Sequence, residues 1–440
     1  MVAGIAGMLS TNVKAQSADS VWSLQRCIDY ALGQNIDIRK SILLNHSDQV
    51  NLRQAKADRF PSLSASVNQN FSWNRSLSSD LKYGSYSGAS GSNYGFNSSV
   101  QLYGGFKNWY NIRQSELSYE AGQNDVEAIK ESVSLSVLDA YLQILYANEQ
   151  VNNSEKQIEA TTDQLRLADE RYKLGAIARS DYLQVKSELS SEKLTLANAQ
   201  SLLTINKVTL MQLMELPVTP SFDIEYPELS DITLLMTVPS VDSVYQQALT
   251  IRPEIKSAEL NRQAADLGVN IAKSGYQPEL SLNGSLSTDY TSASPLTYDY
   301  QVRNKISPFV GLSLSIPLYA NRQIRSGVEL AEINSRTALL NETDAKNQLR
   351  KEIEQASTDI LTAQKRYEAS LEQYNSSEEA YNVAVQKYDQ GLISSVDFLV
   401  QKTSYISAES ELLQSKYNLV FSYKILDFYM GHPLTLNNVY

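Results

Sequence analysis

Side chains able to do chemistry are scarce in this chain. It holds one cysteine, Cys27, and two histidines, His46 and His432. Neither histidine has Asp or Glu around it at zinc-binding spacing, so no metal site is expected. Cys27 follows Leu24-Gln25-Arg26, where a lipoprotein signal needs a small residue, and it reads as a buried thiol on a helix. Serine and aspartate are plentiful, yet no nucleophile-elbow or phosphate-loop pattern occurs. No cofactor is implied, and an enzyme is the least favoured class. The net charge of −11 and the lack of a Lys/Arg cluster also argue against nucleic acid as a partner.

The residues that stand out are two acids in a repeated setting. Residues 171–183 read Arg-Tyr-Lys-Leu-Gly-Ala-Ile-Ala-Arg-Ser-Asp-Tyr-Leu, and residues 387–399 read Lys-Tyr-Asp-Gln-Gly-Leu-Ile-Ser-Ser-Val-Asp-Phe-Leu. The offset is 216 residues, carrying Gly175 to Gly391, Ile177 to Ile393 and Asp181 to Asp397. Charge placed at the mouth of a pore is one chemistry such acids can do. The plainer role is helix capping: Ser394-Ser395-Val396-Asp397 resembles a capping box. Arg171, Arg179 and Lys387 flank the same stretches, as solvated charges or as partners for acids on a neighbouring chain.

What holds these stretches is long. No Gly or Pro occurs in residues 123–174 and 328–390 before each glycine, or in 176–216 and 392–430 after it. Glycine supplies the left-handed conformation that ends a helix, and Ser or Asp caps the next one. Each stretch is therefore expected at the tip of a helical hairpin. Residues 106–174 would span roughly 100 Å as one helix, far beyond the globular average. Large residues stand seven apart in the first ascending helix (Val137, Ile144, Val151, Ile158, Leu165, Tyr172), with small ones three further on (Ala140, Ala147, Ser154, Thr161, Ala168). The second copy repeats this with Ile353, Ile360, Tyr367, Tyr374, Tyr381 and Tyr388. A seven-residue apolar period predicts left-handed coiled-coil packing.

Ahead of each hairpin the period changes to two. The odd positions of 63–73 read Leu, Ala, Val, Gln, Phe, Trp, while the even positions of 62–74 are all Ser or Asn. A loop over 75–93 then leads to a second alternating run, with Tyr94, Phe96, Val100 and Leu102 on one face. The second copy offers Leu280, Leu282, Leu286 and Tyr290, then Val310, Leu312, Leu314, Ile316 and Leu318. Strands are expected at about 60–74, 94–103, 278–290 and 309–319. One apolar and one uncharged polar face fit a half-buried soluble sheet or a transmembrane barrel. The barrel is favoured by aromatic residues near the strand ends, among them Phe60, Trp73, Tyr103 and Tyr319. Four strands cannot close, so several chains would have to pool them.

The domain reading is thus a duplication. A signal-peptide remnant is expected over 1–16, with a short apolar run and a small-residue cleavage site. A first repeat covers 17–216 with its tip near 175, and a Pro-rich connector covers 217–239. A second repeat covers 240–434 with its tip near 391, and 435–440 is a tail.

These residues resemble the TolC-like outer membrane efflux proteins. The resemblance rests on the Tyr-x-x-Gly-x-Ile-x-x-x-Asp tips, on Ala248-Leu249-x-x-Arg252-Pro253-Glu254-Ile255, on the turn Ile316-Pro317-Leu318-Tyr319, and on the doubled order of elements. It implies an α+β membrane protein: a homotrimer whose four strands per chain form a twelve-stranded outer membrane barrel, continued by a periplasmic coiled-coil barrel. It implies a passive export duct for small molecules or peptides, working with a periplasmic adaptor protein and an inner-membrane transporter. By motif, Leu174, Gly175, Ala176, Ile177, Gly391, Leu392, Ile393 and Ser394 would dock the adaptor. Asp181, Asp397, Arg179 and Tyr388 would line the periplasmic aperture. Two departures stand out: Val400 and Gln401 replace a further acid found in some members, and Ile36 stands where Pro253 stands in the second copy. The competing classes are a periplasmic coiled-coil adaptor, which would not need the strands, and a general porin, which would not need the long helices.

Overall fold

The computed structural model describes residues 21–75, 83–219, 221–226 and 239–434. The expected signal segment 1–16, the tail 435–440 and most of the connector lie outside them. The order is β1 (Val21–Trp22), α1 (Leu24–Gln34), α2 (Ile36–Ala57), β2 (Ser62–Asn74), β3 (Ser87–Gly104), α3 (Lys107–Lys173) and α4 (Arg179–Leu213). There follow β4 (Asp223–Ile224), α5 (Val241–Ile251), α6 (Pro253–Ser274), β5 (Glu279–Thr291), α7 (Tyr298–Asn304), β6 (Ser307–Ser315), α8 (Gln323–Asp389) and α9 (Ser395–Tyr429). The ascending helices α3 and α8 are each 67 residues and the return helices α4 and α9 each 35.

The chain divides into two compact units. One holds the described parts of 1–39, 129–248 and 350–440. Its core is built from Val137, Leu138, Tyr141, Ile144 and Leu145 of α3, with Cys27 and Ala31 of α1, Leu210 and Met214 of the first return, and Leu419 and Val420 of α9. Burial pushes the Cys27 thiol up to about 12. The small positions of the period-seven pattern do the close packing. Ala140, Ala147, Ser154, Thr161 and Ala168 are all buried, as are Ala356, Ala363, Ser370 and Ala384. The short parallel pair β1–β4 ties the N-terminal strand to the connector. The Tyr141 hydroxyl donates to the carbonyl of Glu225 beside it (2.7 Å). Strands of two residues leave no periodicity, so this pair had no sequence signal.

The other unit holds 40–128 and 249–349 and contains an antiparallel sheet in the order β2-β3-β5-β6. Register puts like with like. Leu282 pairs with Val100 on one side and Leu312 on the other, while Asn283 pairs with Ser99 and Gly311. Asn68 lies opposite Asn93, itself opposite Asp289, in one polar row. Two strand ends differ from the alternation. β3 begins at Ser87 rather than near 94, because Gly88, Gly91 and Ser90 have no pattern of their own yet pair with Trp73, Asn70 and Phe71. β6 stops at Ser315, just before Ile316-Pro317, where proline has no N–H for the ladder. A bulge between Gln101 and Tyr103 leaves Leu102 unpaired.

The duplication reaches the helix ends. Gly175, Glu215, Gly391 and Gly431 all have positive φ (75°, 56°, 71° and 77°), and the 216-residue offset relates them in pairs. At each, the next residue's N–H bonds a carbonyl five residues back, as Ala176 does to Arg171 (2.8 Å) and Leu216 to Met211 (2.8 Å). These are Schellman closures. At the start of the ascending helices, Gly105 and Phe106 in the first copy, and Asn321 and Arg322 in the second, also take positive φ.

Candidate functional site

The two tips close α3 onto α4 and α8 onto α9. Gly175 and Gly391 have open space around a would-be Cβ, so backbone sign alone calls for glycine. Leu174 and Leu392 project beyond the turns, 84% and 68% exposed. Ile177 and Ile393 are half-buried, and Ala176 and Ser394 are exposed. Rings brace each hairpin behind its turn. Tyr172 stacks on Tyr182 at 5.7 Å and Tyr388 on Phe398 at 4.8 Å.

Asp397 is a capping residue here. Ser394 Oγ accepts from the Asp397 N–H (3.1 Å) and donates to Asp397 Oδ2 (2.8 Å). Asp181 instead joins the hairpins, accepting from Ser395 Oγ at 2.9 Å. Arg171 makes a second tie, donating to the carbonyl of Asp389 (3.0 Å) and lying 3.7 Å from its carboxylate. Burial raises the Tyr388 phenol above its usual range, and the nearby Arg171 charge opposes that. Arg179 is exposed and has no hydrogen-bond or ion-pair partner among the described residues. The structure thus brings Asp181, Tyr388 and Asp397 into one tip region and leaves Arg179 at its surface.

A third tie escaped the sequence. Lys402 of α9 donates to Glu192 Oε1 of α4 (2.5 Å) and to the Thr161 hydroxyl of α3. Both charged side chains are nearly sealed from solvent, 3% and 7% exposed. The only available signal was a charge at a core-facing spacing, Glu192 three residues after Leu189 and Lys402 four after Phe398.

Among the described residues no group of His, Cys, Asp and Glu could hold a metal, and no helix is long and apolar enough to cross a membrane. The sheet differs from a soluble half-buried one. Leu63, Phe71, Val310 and Leu312 are all at least 66% exposed on its apolar side, and β2 and β6 each have a free edge. Both halves of the chain, residues 27–215 and 244–432, match the model of one family, described as Outer membrane efflux protein.

The chain belongs to the outer membrane efflux protein family.

Among curated relatives, the Toxin and drug export protein A of Aggregatibacter actinomycetemcomitans is 22% identical over 90% of this chain and 83% of its own. The Cation efflux system protein CusC of Escherichia coli K12 is 25% identical over 78% and 74%. The crystal structure of CusC superposes with a TM-score of 0.79 at 19% identity, covering 93% of this chain and 92% of the other. The Campylobacter jejuni CmeC outer membrane channel gives 0.78 at 20%, covering 93% and 85%. The fold is TolC-like, with long helices and a four-stranded antiparallel sheet in a duplicated chain. As an outer membrane efflux protein it is a channel of tripartite export systems, without enzymatic activity, and its helical part is periplasmic.

Proposed function

We propose that this efflux protein works as a homotrimer and conducts passively. Three chains pool twelve strands in the outer membrane, and energy comes from an inner-membrane transporter reached through a periplasmic adaptor. The free edges of β2 and β6, outer strands exposed on both faces, carry this reading. Hydrocarbon cannot satisfy unpaired backbone groups, so each edge needs the opposite edge of another copy. Three copies give a barrel with room for a lumen.

The turns at Leu174-Gly175-Ala176-Ile177 and Gly391-Leu392-Ile393-Ser394 dock the adaptor. Two apolar tips per chain, repeated threefold, offer leucine knobs to partner helices. Asp181 and Asp397 give the periplasmic mouth a negative charge that favours cations; capping orients the Asp397 carboxylate without neutralising it. Tyr388 fills the space behind the aperture, and Arg179 reaches outward to a neighbouring subunit's acids. The repeats are 17–216 and 240–434, joined by the connector 217–239. The cargo is small molecules or peptides, a range consistent with relatives named for toxin and drug export and for cation efflux.

Native mass spectrometry of the detergent-extracted protein tests the assembly. Three copies per particle are expected; a lone copy, or a particle that stays in solution without detergent or lipid, would sink the duct.

A further inference from the structure

Helix α3 presents two contrasting sides within its own unit. Leu138, Tyr141 and Leu145 are buried in the core, with Tyr141 bonded to the β1–β4 layer. At 3.6 residues per turn, Ser136, Asp139 and Gln143 lie on the opposite side. There a cavity of about 430 Å³ opens, walled by Leu135 and Ala140 of α3, Asn206 and Leu213 of α4, and Phe421 of α9. Asp139 and Gln143 are common to it and to a smaller hollow reaching Tyr146 and Tyr417. Among the described residues no lysine or arginine lines either. Asp139 is half-buried, Gln143 one turn on donates to its carboxylate, and burial holds its pKa above the usual range.

A carboxylate beside Leu135, Leu213 and Phe421, with only uncharged polar groups (Ser136, Gln143, Asn206, Thr209) among its other neighbours in the groove, lacks its counter-charge. We propose that this groove binds an organic monocation, a quaternary or protonated amine on an aromatic or alkyl body. The ammonium sits at Asp139 and the body lies against Phe421, Leu135 and Leu213. Inorganic cations stay hydrated and cannot use the apolar walls, and anions are repelled. The β1–β4 layer covers the other side of α3, so in the trimeric duct proposed above, on which this part rests, the groove faces the lumen. It is then a station for amphiphilic cations in transit.

Benzyltrimethylammonium, benzenesulfonate and tetramethylammonium are suitable probes. In single-channel recordings of the full-length protein, benzyltrimethylammonium should reduce the current. Asp139→Asn should weaken that block at least tenfold, and Phe421→Ala should weaken it as well. Benzenesulfonate should not block either form. Acidification through the Asp139 titration should relieve the block in wild type and leave Asp139→Asn unchanged. Equal block in wild type and Asp139→Asn overturns the site; block by tetramethylammonium as strong as by its benzyl analogue overturns the amphiphile preference. Calorimetric titration of the purified protein with the same three ions reads binding without needing conduction. Absent channels with intact, Asp139-dependent binding would refute the duct and leave the site standing, whereas open channels without such binding would refute the site alone.

Discussion

Lys402 Nζ lies 2.5 Å from Glu192 Oε1, joining the return helices of the two hairpins through an ion pair that water barely reaches. Thr161 of α3 completes the cluster, and Glu192 Oε2 is buried without a hydrogen-bond partner. Two charges of opposite sign at matched height make an offset pairing of these helices costly, because a slip of one turn would bury each charge alone.

Removing one member should therefore hurt more than removing both. Lys402→Met leaves the Glu192 carboxylate buried and uncompensated, a loss of about 3–5 kcal/mol. Glu192→Leu with Lys402→Met should restore or exceed wild-type stability. Thermal unfolding followed by circular dichroism checks the order; a double variant as unstable as the single one would show that the pair stabilises in its own right.

At the tips, Asp181→Asn with Asp397→Asn should lower cation selectivity in bilayer recordings. Ser394→Ala should leave selectivity unchanged and cost about 1 kcal/mol of stability, since it deletes a cap and no charge. Unchanged ion preference in the double Asn variant ends the role of these acids as a charge ring.

Arg171, tied to the Asp389 carbonyl, and Tyr388, stacked on Phe398, hold the hairpins together behind the turns. Arg171→Ala and Tyr388→Ala should each raise single-channel conductance. Arg179→Ala, which removes the reach to a neighbouring subunit's acids, should do so as well. The same conductance in all three variants would remove the tip ties from any account of opening.

Glu215 ends α4 with a left-handed φ of 56°, at the place where α9 has Gly431. A side chain in that conformation costs roughly 1 kcal/mol or more. Glu215 is exposed, so Glu215→Gly should raise the melting temperature without altering conductance. A lower melting temperature would mean that its side chain contributes more than its backbone costs.

Two acids, Glu342 buried and Glu409 half-buried, should respond to pH with opposite signs. Hydrogen bonds from Lys346 and Arg262 outweigh burial at Glu342 and hold its pKa below 4.5. The stability it contributes is complete above 4.5 and falls away as acid titrates it. Burial raises Glu409 above 4.5. Its contribution is therefore largest below 4.5 and lost as pH rises through its folded-state value. Glu342→Gln should flatten the loss of melting temperature between neutral and acidic pH, and Glu409→Gln should raise the melting temperature at neutral pH. Parallel pH profiles for wild type and both variants would contradict both shifts.

Much of the fold was legible because it rests on local, repeated patterns. The alternation in 62–74 marks β2, since a strand's side chains change face at every residue. The glycines at 175 and 391 mark the tips, since few other residues take the left-handed form cheaply. The small positions from Ala140 to Ala168 mark a close-packed seam. The capping role of Asp397 was also visible, because Ser394 stands three residues before it.

The rest needed the chain folded back on itself. The glycine-rich start of β3 has no period and becomes a strand only because Trp73 and Phe71 supply partners. β1 and β4 are too short for a pattern and lie some 200 residues apart. Ser395 meets Asp181, Arg171 meets Asp389, and Lys402 meets Glu192 across separations of 210 to 218 residues. The sequence alone determined the duplicated hairpins and the two-faced strands, because hydrophobic period and backbone sign act within a few residues. Only the tertiary structure decided which charges are buried together, which carboxylate caps and which one bridges, and where Asp139 stands without a counter-charge. Coulombic and hydrogen-bond energies depend on distance in space, and distance along the chain does not set it.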